Sequence, residues 1–141
     1  MQSKRLVIDA NILIRAVFGR RVRELIGQAG EDVAFYVAEA NFEEASHYLA
    51  ELAPRRGIDD TVWRSSLATV MMSIQLVGQE ELVLVEAEAC ARIAQRDERD
   101  WPALAAALLL DCPIWTEDQD FFGTGVPTWT TATVEIYLRA S

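Results

Sequence analysis

Acidic side chains stand in four separate places along this chain, and each place adjoins a predicted strand or helix. Asp9 ends an apolar run that is typical of a β-strand, and a helical pattern begins directly after it. Ligands bind at the carboxyl ends of strands in an open parallel sheet, so a charge at this position is held at the mouth of a crevice. The other groups are Glu43-Glu44, Asp97 to Asp100 and Glu117 to Asp120. Together the four groups favour a divalent-cation pocket over a scattered acidic surface.

Divalent-cation binding would explain why these acids converge. Mg²⁺ and Mn²⁺ take a few carboxylates together with water and substrate oxygens, so the ligands must come from separate elements. The candidate ligands are Asp9, Glu44, Asp100 and Asp118. At about 4 Å and an effective dielectric constant near 20, each pair of like charges costs roughly 4 kcal/mol, and a divalent cation reverses the sign of that interaction.

Each acid also has a plainer explanation. Asp100 and Asp118 both occupy positions where a helix N-cap is favoured, and Glu44 is compatible with an ordinary exposed helix residue. Asp9 is the hardest to explain in this way, because a charge at the end of an apolar strand needs a partner or water. Metal binding therefore depends most strongly on Asp9.

Composition places the chain among folded globular proteins. Its 141 residues suit one domain spanning 1–141, and 51% of them are hydrophobic, which excludes a disordered tail. No apolar run approaches the roughly 20 residues that a membrane span requires. The first five residues lead directly into the first strand and leave no apolar segment of a signal peptide, so we expect a cytoplasmic protein.

Cysteine and histidine are too few for a zinc site. The chain has two cysteines, Cys90 and Cys112, and one histidine, His47. Neither cysteine belongs to a C-x-x-C motif, and Cys112 is predicted to be a buried free thiol. These counts argue against zinc and favour a hard cation bound by oxygen.

The net charge of −9, from 13 basic and 22 acidic residues, counts against strong non-specific binding of nucleic acid. Six of the basic residues fall within the first 23 positions, and they are Lys4, Arg5, Arg15, Arg20, Arg21 and Arg23. A bound metal would also neutralise the acidic site and attract phosphate. A nuclease is therefore compatible with this charge. Arg15 and Arg20 are the candidate substrate contacts, with a solvated surface as the alternative.

Predicted strands alternate with predicted helices along the whole chain. The strands are expected at about 5–9, 33–37, 82–85, 113–116 and 126–130. The helices are expected at about 11–18, 20–29, 38–53, 61–76, 86–96 and 131–139, with a further one that opens at Asp100-Trp101-Pro102. This alternation predicts a single α/β domain with three layers, in which a central parallel sheet of four or five strands is flanked by helices.

The ordered set of acids resembles the PIN-domain nucleases. The motifs that carry the resemblance are Asp9-Ala10-Asn11, Glu44 five residues before Leu49, Asp97 to Asp100 ahead of an Ala/Leu-rich helix, and Thr116 to Phe121. They run in the same order from about residue 5 to 130. The subgroup resembled includes the VapC-type toxin ribonucleases and the PilT N-terminus-like proteins. The region of about 54–80 matches only loosely, so the resemblance says nothing of substrate choice.

The resemblance implies a PIN-like fold and a metal-dependent endoribonuclease that cleaves RNA. Such proteins are commonly homodimers, and the toxin members are silenced by a partner antitoxin. The quartet of Asp9, Glu44, Asp100 and Asp118 is implied to bind Mg²⁺ or Mn²⁺. The implied supporting residues are Asn11 and Thr116 as polar supports, Asp120 as a peripheral acid, Glu43 as a substitute for Glu44, and Asp97 as a substitute for Asp100.

Two other functional classes are compatible with parts of the pattern. One is a non-catalytic PIN-like interaction domain whose acidic cleft receives an arginine from a partner peptide. The other is a phosphatase in which the aspartate at the strand end is phosphorylated. A haloacid dehalogenase-like phosphatase needs a second aspartate two residues later, where this chain has Asn11, and a lysine late in the chain, whereas its only lysine is Lys4. The phosphatase is therefore the weakest candidate.

Overall fold

Five parallel strands form the centre of the molecule. The structure is a computed structural model, and it describes residues 4–139. The strands are β1 (Lys4–Ile8), β2 (Val33–Ala38), β3 (Ile74–Val77), β4 (Ile114–Trp115) and β5 (Thr128–Trp129), and their order in the sheet is β3-β2-β1-β4-β5. All pairings are parallel. The predicted central parallel sheet of four or five strands is confirmed.

Helices cover both faces of this sheet. They are α1 (Ala10–Phe18), α2 (Arg21–Ala29), α3 (Glu39–Arg55), α4 (Asp60–Met71), α5 (Gln79–Leu82), α6 (Glu86–Ile93), α7 (Trp101–Leu110) and α8 (Val134–Arg139). One layer contains α1 to α4 with α8, and the other contains α5 to α7. The three predicted layers are therefore present. Among residues 4–139, no helix has the length and apolar character needed to cross a bilayer.

The strand order creates a crevice between the ends of β1 and β4. From β1 the chain moves to β2 and then to β3 on one side, and it later returns to place β4 on the other side of β1. The chain therefore continues from β1 to β2 on one side of the crevice, and from β4 to β5 on the other side. Such a switch point at the carboxyl ends of parallel strands is where α/β proteins bind ligands. Asp9 directly follows β1 and Thr116 directly follows β4.

The predicted third strand was wrong. Residues 82–85 are helical, since α5 ends at Leu82 and a 3₁₀ turn follows over Val83–Val85. The strand lies at Ile74–Val77, and residues 74–76 of it had been predicted as the end of a helix over about 61–76, whereas α4 ends at Met71.

The physical reason is that burial of residues 82–85 does not match a strand. Leu82 is fully buried, whereas Val83 and Leu84 are 52% and 78% exposed. Ile74 and Val77 are both buried, and the segment pairs with the otherwise open edge of β2, from Phe35 opposite Ile74. A short apolar run fits either structure by composition, and here the pairing with β2 decides.

Both cysteines are free thiols. Cys112 is buried where the chain leaves α7 and enters β4, and that burial raises the pKa of its thiol to about 11. The side chain is therefore neutral at physiological pH and packs as a small apolar group. The prediction of a buried free thiol is confirmed.

Candidate metal centre

Asp9 lies almost fully buried at the bottom of the crevice. Its side chain begins α1 by accepting a hydrogen bond from the backbone N–H of Ala10 at 2.8 Å. The second carboxylate oxygen accepts hydrogen bonds from the amide of Asn11 at 2.9 Å and from the hydroxyl of Thr116 at 2.8 Å. Burial raises the pKa of Asp9, the bonds from Thr116 and Ala10 oppose that rise, and the charges of Glu44 and Asp118 add to it. Asp9 is thus both a helix cap and a fixed part of the crevice.

Asn11 and Thr116 connect the two strand ends. The amide of Asn11 also donates to the Thr116 hydroxyl at 3.3 Å, and its carbonyl oxygen accepts from the backbone N–H of Glu117 at 3.3 Å. The Thr116 oxygen accepts from the backbone N–H of Asp118 at 2.9 Å. These contacts join the ends of β1 and β4, and the part of both residues as polar supports of a metal site stays a prediction.

Three carboxylates meet above this network. Asp100, Asp118 and Asp120 each offer one oxygen, and these three oxygens all lie within 4.8 Å of one another. Asp120 was expected only as a peripheral acid, but a turn brings it inward, because the Asp118 side chain accepts the backbone N–H of Asp120 at 2.9 Å. Asp118 therefore caps its own turn, as one of the plainer explanations expected. Its second oxygen stays available to the cluster.

Asp100 does not act as a side-chain cap. It occupies the N-cap position of α7 but makes no capping hydrogen bond. Its Oδ2 atom is fully buried and has no hydrogen-bond partner among residues 4–139. Burial and then the charges of Asp118, Asp9 and Asp97 raise the pKa of Asp100 to about 7. A buried, unpartnered carboxylate oxygen beside other acids needs either a proton or a cation.

Glu44 faces the crevice from α3, whereas no hydrogen bond or ion pair with another residue of 4–139 links Glu43 to it. The charge of Glu44 contributes to the raised pKa of Asp9. The amide of Asn41, one turn earlier, reaches Glu44 at 3.5 Å. Asn41 is 3% exposed, and its Oδ1 atom has no partner within the described part of the chain. Sequence reasoning missed Asn41, although its spacing of four from the buried Ala45 would have placed it on the inner stripe of the helix.

Asp97 is engaged elsewhere. Both of its carboxylate oxygens bind the guanidinium of Arg99, at 3.0 and 2.9 Å, and the backbone N–H of Arg99 adds a third bond at 3.0 Å. Asp97 is not one of the three clustered acids. The geometry thus favours Asp100 over its substitute Asp97, and Arg99 is a second residue that the sequence did not single out.

The arginines expected to contact substrate lie along α1 and the start of α2. Arg15 lines a cavity of about 270 Å³ between α1 and α3, together with Phe18 and Tyr48. Arg20 is highly exposed, with its guanidinium 3.8 Å from Glu24. Substrate contact by Arg15 and Arg20 stays a prediction.

The donor set fits a hard divalent cation. All the converging groups are carboxylates, which suit Mg²⁺ or Mn²⁺ and not a zinc site built from sulfur and nitrogen. The unpartnered Oδ2 atom of Asp100 supplies an acceptor that no protein group within residues 4–139 satisfies. His47 does not enter the site, since its side chain is 80% exposed and pairs with Glu51.

Comparison with known proteins bears on the family and the fold of this chain. A family model described as PIN domain matches residues 7–139. No curated protein sequence matches the chain. PAE2754 from Pyrobaculum aerophilum has a similar structure, with a TM-score of 0.72, 17% identity, and coverage of 98% of this chain and 97% of that chain.

Two further structures share the fold. VapBC2 from Rickettsia felis, bound to a DNA fragment from its promoter, has a TM-score of 0.70 at 9% identity and covers 89% of this chain and 98% of that chain. A toxin–antitoxin complex from Klebsiella pneumoniae has a TM-score of 0.63 at 17% identity, with 89% and 97% covered. Identities this low make the structural likeness an argument about the fold alone.

Proposed function

This chain belongs to the PIN-domain family, and from that membership we propose that it is a metal-dependent endoribonuclease that hydrolyses RNA phosphodiester bonds. The observation that carries the proposal is the meeting of Asp100, Asp118 and Asp120, whose oxygens lie within 4.8 Å of one another. Like charges repel at that distance, so the arrangement stabilises the molecule only when a cation or protons are present. A nuclease of this class uses such a cation.

Each acid has a role that follows from its position. Mg²⁺ or Mn²⁺ would be held by Asp100, Asp118 and Asp120. Asp9 would add a negative charge at the floor of the crevice that attracts the cation. When bound, the cation would lower the pKa of a water molecule and offset the charge that develops on the departing oxygen. Glu44, exposed on the adjacent helix, would orient that water.

Asp100 would exchange a proton for the cation. Its pKa of about 7 means that the carboxyl group is partly protonated at neutral pH when no cation is bound. A cation needs the deprotonated form, so metal binding displaces the proton. Metal affinity and cleavage rate should therefore both rise as the pH increases through 7.

We also propose that the protein is the toxin of a toxin–antitoxin pair and that it forms a homodimer. The likeness to a toxin–antitoxin complex from Klebsiella pneumoniae supports the first part. An acidic crevice suits an arginine side chain from an antitoxin, which would occupy the place of the cation. The same feature supports the alternative of a non-catalytic interaction domain, and cleavage itself separates the two.

The test is cleavage of a labelled RNA by purified protein with Mn²⁺ or with EDTA. Asp9→Asn keeps the shape of the side chain and removes its charge, so we expect it to abolish cleavage while the circular-dichroism spectrum stays unchanged. Asp32→Asn makes the same change at an exposed position before β2, at the opposite end of the sheet, and should leave the rate unchanged.

Three outcomes decide the proposal. Cleavage that EDTA stops, and that Asp9→Asn abolishes, supports it. Wild-type cleavage by Asp9→Asn would remove Asp9 from the site. No cleavage with Mn²⁺ or Mg²⁺, together with tight binding of a partner peptide, would establish the interaction domain instead.

A further inference from the structure

Arg99 is an exposed side chain held in a fixed direction. Its Nε and Nη2 atoms bind the two carboxylate oxygens of Asp97 at 3.0 and 2.9 Å, and its backbone N–H binds the same carboxylate at 3.0 Å. The Arg99 side chain is nevertheless 89% exposed. Two parallel bonds fix the plane of a guanidinium, which a single contact does not. An arginine that is both immobilised and open to solvent is suited to binding an external group.

The position of Arg99 is at the mouth of the acidic crevice. It directly precedes Asp100, one of the three clustered acids. The bond from Asp97 is the main reason that the pKa of Arg99 is raised, and the charges of Asp100 and Glu44 add to that rise. The guanidinium therefore stands within the electrostatic field of the crevice and carries a permanent positive charge.

A nucleic acid that enters this crevice needs a cation at its edge. The strand is a polyanion, and it must approach a cluster of carboxylates, which repels it. A metal ion inside the crevice can neutralise one phosphate, but the neighbouring phosphates still face acidic side chains. Arginine presents five N–H donors, and Asp97 uses two of those on the Arg99 side chain, so three stay available.

On the basis of the proposed function, we propose that Arg99, held by Asp97, binds a phosphate of the RNA strand next to the one that is cleaved. Arg99 is then a substrate-binding residue, and Asp97 is a positioning residue that acts through it. This assignment also gives Asp97 a role other than metal ligand. It concerns the class of ligand, an RNA phosphate, and not the sequence of the RNA.

The first test removes the charge of Arg99. In Arg99→Gln we expect the KM for a labelled single-stranded RNA to rise about tenfold with kcat nearly unchanged, because one charge-assisted phosphate contact is lost. The dependence of log KM on log salt concentration should become shallower by about 0.7, which corresponds to one phosphate contact on a single strand. Arg64→Gln is the matched control, since Arg64 is also exposed and binds an acid, Asp60, at 2.8 Å on α4.

The second test changes Asp97. The expected change in KM has one sign if only the charge of Asp97 matters, and the opposite sign if Asp97 positions Arg99. Asp97→Asn removes a negative charge beside the crevice, so general electrostatics would strengthen RNA binding and lower KM. If Asp97 holds Arg99 in place, the same substitution raises KM severalfold.

Binding measurements separate this proposal from the proposed function. The fluorescence anisotropy of a fluorescein-labelled, 2′-O-methylated RNA reports binding whether or not the protein cleaves RNA. Weaker binding by Arg99→Gln and Asp97→Asn, with Arg64→Gln equal to wild type, supports the assignment. Equal binding by Arg99→Gln and wild type overturns it even if cleavage is observed. A lower KM for Asp97→Asn overturns the positioning role of Asp97.

Discussion

The hydroxyl of Thr116 donates a 2.8 Å hydrogen bond to Oδ2 of Asp9, across the ends of β4 and β1. The Oγ1 atom of Thr116 in turn accepts a hydrogen bond from the backbone N–H of Asp118 at 2.9 Å. Thr116 is fully buried, so water cannot replace either bond. One hydroxyl group therefore sets the position of two acids of the proposed site, and it favours the charged form of Asp9 against the effect of burial.

Thr116→Val removes this hydroxyl and keeps the shape of the side chain. Asp9 retains its bond from Asn11, but the charged form loses its contact with Thr116, so the pKa of Asp9 should rise further. We expect the lower limb of the pH–rate profile to move to higher pH and the protein to lose about 1–3 kcal/mol of stability, the usual cost of a buried polar group left without its partner. Thr116→Ser keeps the hydroxyl and should retain the wild-type pH profile. A profile that does not move in Thr116→Val would show that the bond has no influence on the ionisation of Asp9.

The position of Asp9 at the end of an apolar strand was predictable from the chain, because a parallel sheet places the carboxyl ends of its strands at one edge. Thr116 lies at that edge for the same reason, since it ends the predicted strand at 113–116. The sequence did not show which of several neighbouring acids would join the cluster. Asp120 belongs to the cluster, and its backbone N–H donates to the Asp118 carboxylate in the turn that follows β4. Asp97 lies outside the cluster, and its carboxylate binds Arg99.

The error at the third strand has a different physical origin. Residues 82–85 form an uninterrupted apolar run, whereas Gln75 interrupts the apolar residues at 74–77, so local composition favoured the wrong segment. The deciding interaction is long-range, because β2 has one open edge and Ile74–Val77 occupies it. Asn41 was missed for another reason: its polar side chain suggested an exposed position, although its spacing of four from the buried Ala45 lies on the inner stripe of α3.

Two alanine variants test this assignment of the edge strand. Ile74 is 6% exposed and packs in the core, so Ile74→Ala should cost about 2–4 kcal/mol of unfolding free energy. Leu84 is 78% exposed, so Leu84→Ala should change stability by less than about 0.5 kcal/mol. Urea unfolding followed by circular dichroism measures both values. The opposite order of the two losses would restore the strand that the sequence predicted at 82–85.

The stability of the metal-free protein should fall as the pH rises through neutrality. The pKa of Asp100 is raised from 3.8 to about 7, chiefly by burial, so between these values the folded protein binds a proton that the unfolded chain does not. The resulting stabilisation is complete below about 3.8 and is lost as the pH rises through about 7. Asp9, whose pKa is also raised, contributes with the same sign.

Asp100→Asn removes the Asp100 contribution to this pH dependence and gives the measurement its control. The raised pKa of Asp100 corresponds to about 4 kcal/mol, and solvent screening of its partly exposed side chain reduces that to about 1–2 kcal/mol. In EDTA, thermal unfolding of the wild type should therefore occur a few degrees lower at pH 8 than at pH 5.5, at roughly 2–4 °C per kcal/mol, and Asp100→Asn should be the more stable protein at pH 8. Mn²⁺ needs the deprotonated carboxylates, so its stabilising effect should be larger at pH 8 than at pH 5.5, and smaller in the variant. A wild-type midpoint in EDTA that rises between pH 5.5 and 8 would show that Asp100 and Asp9 are not the buried, proton-binding acids that this geometry requires.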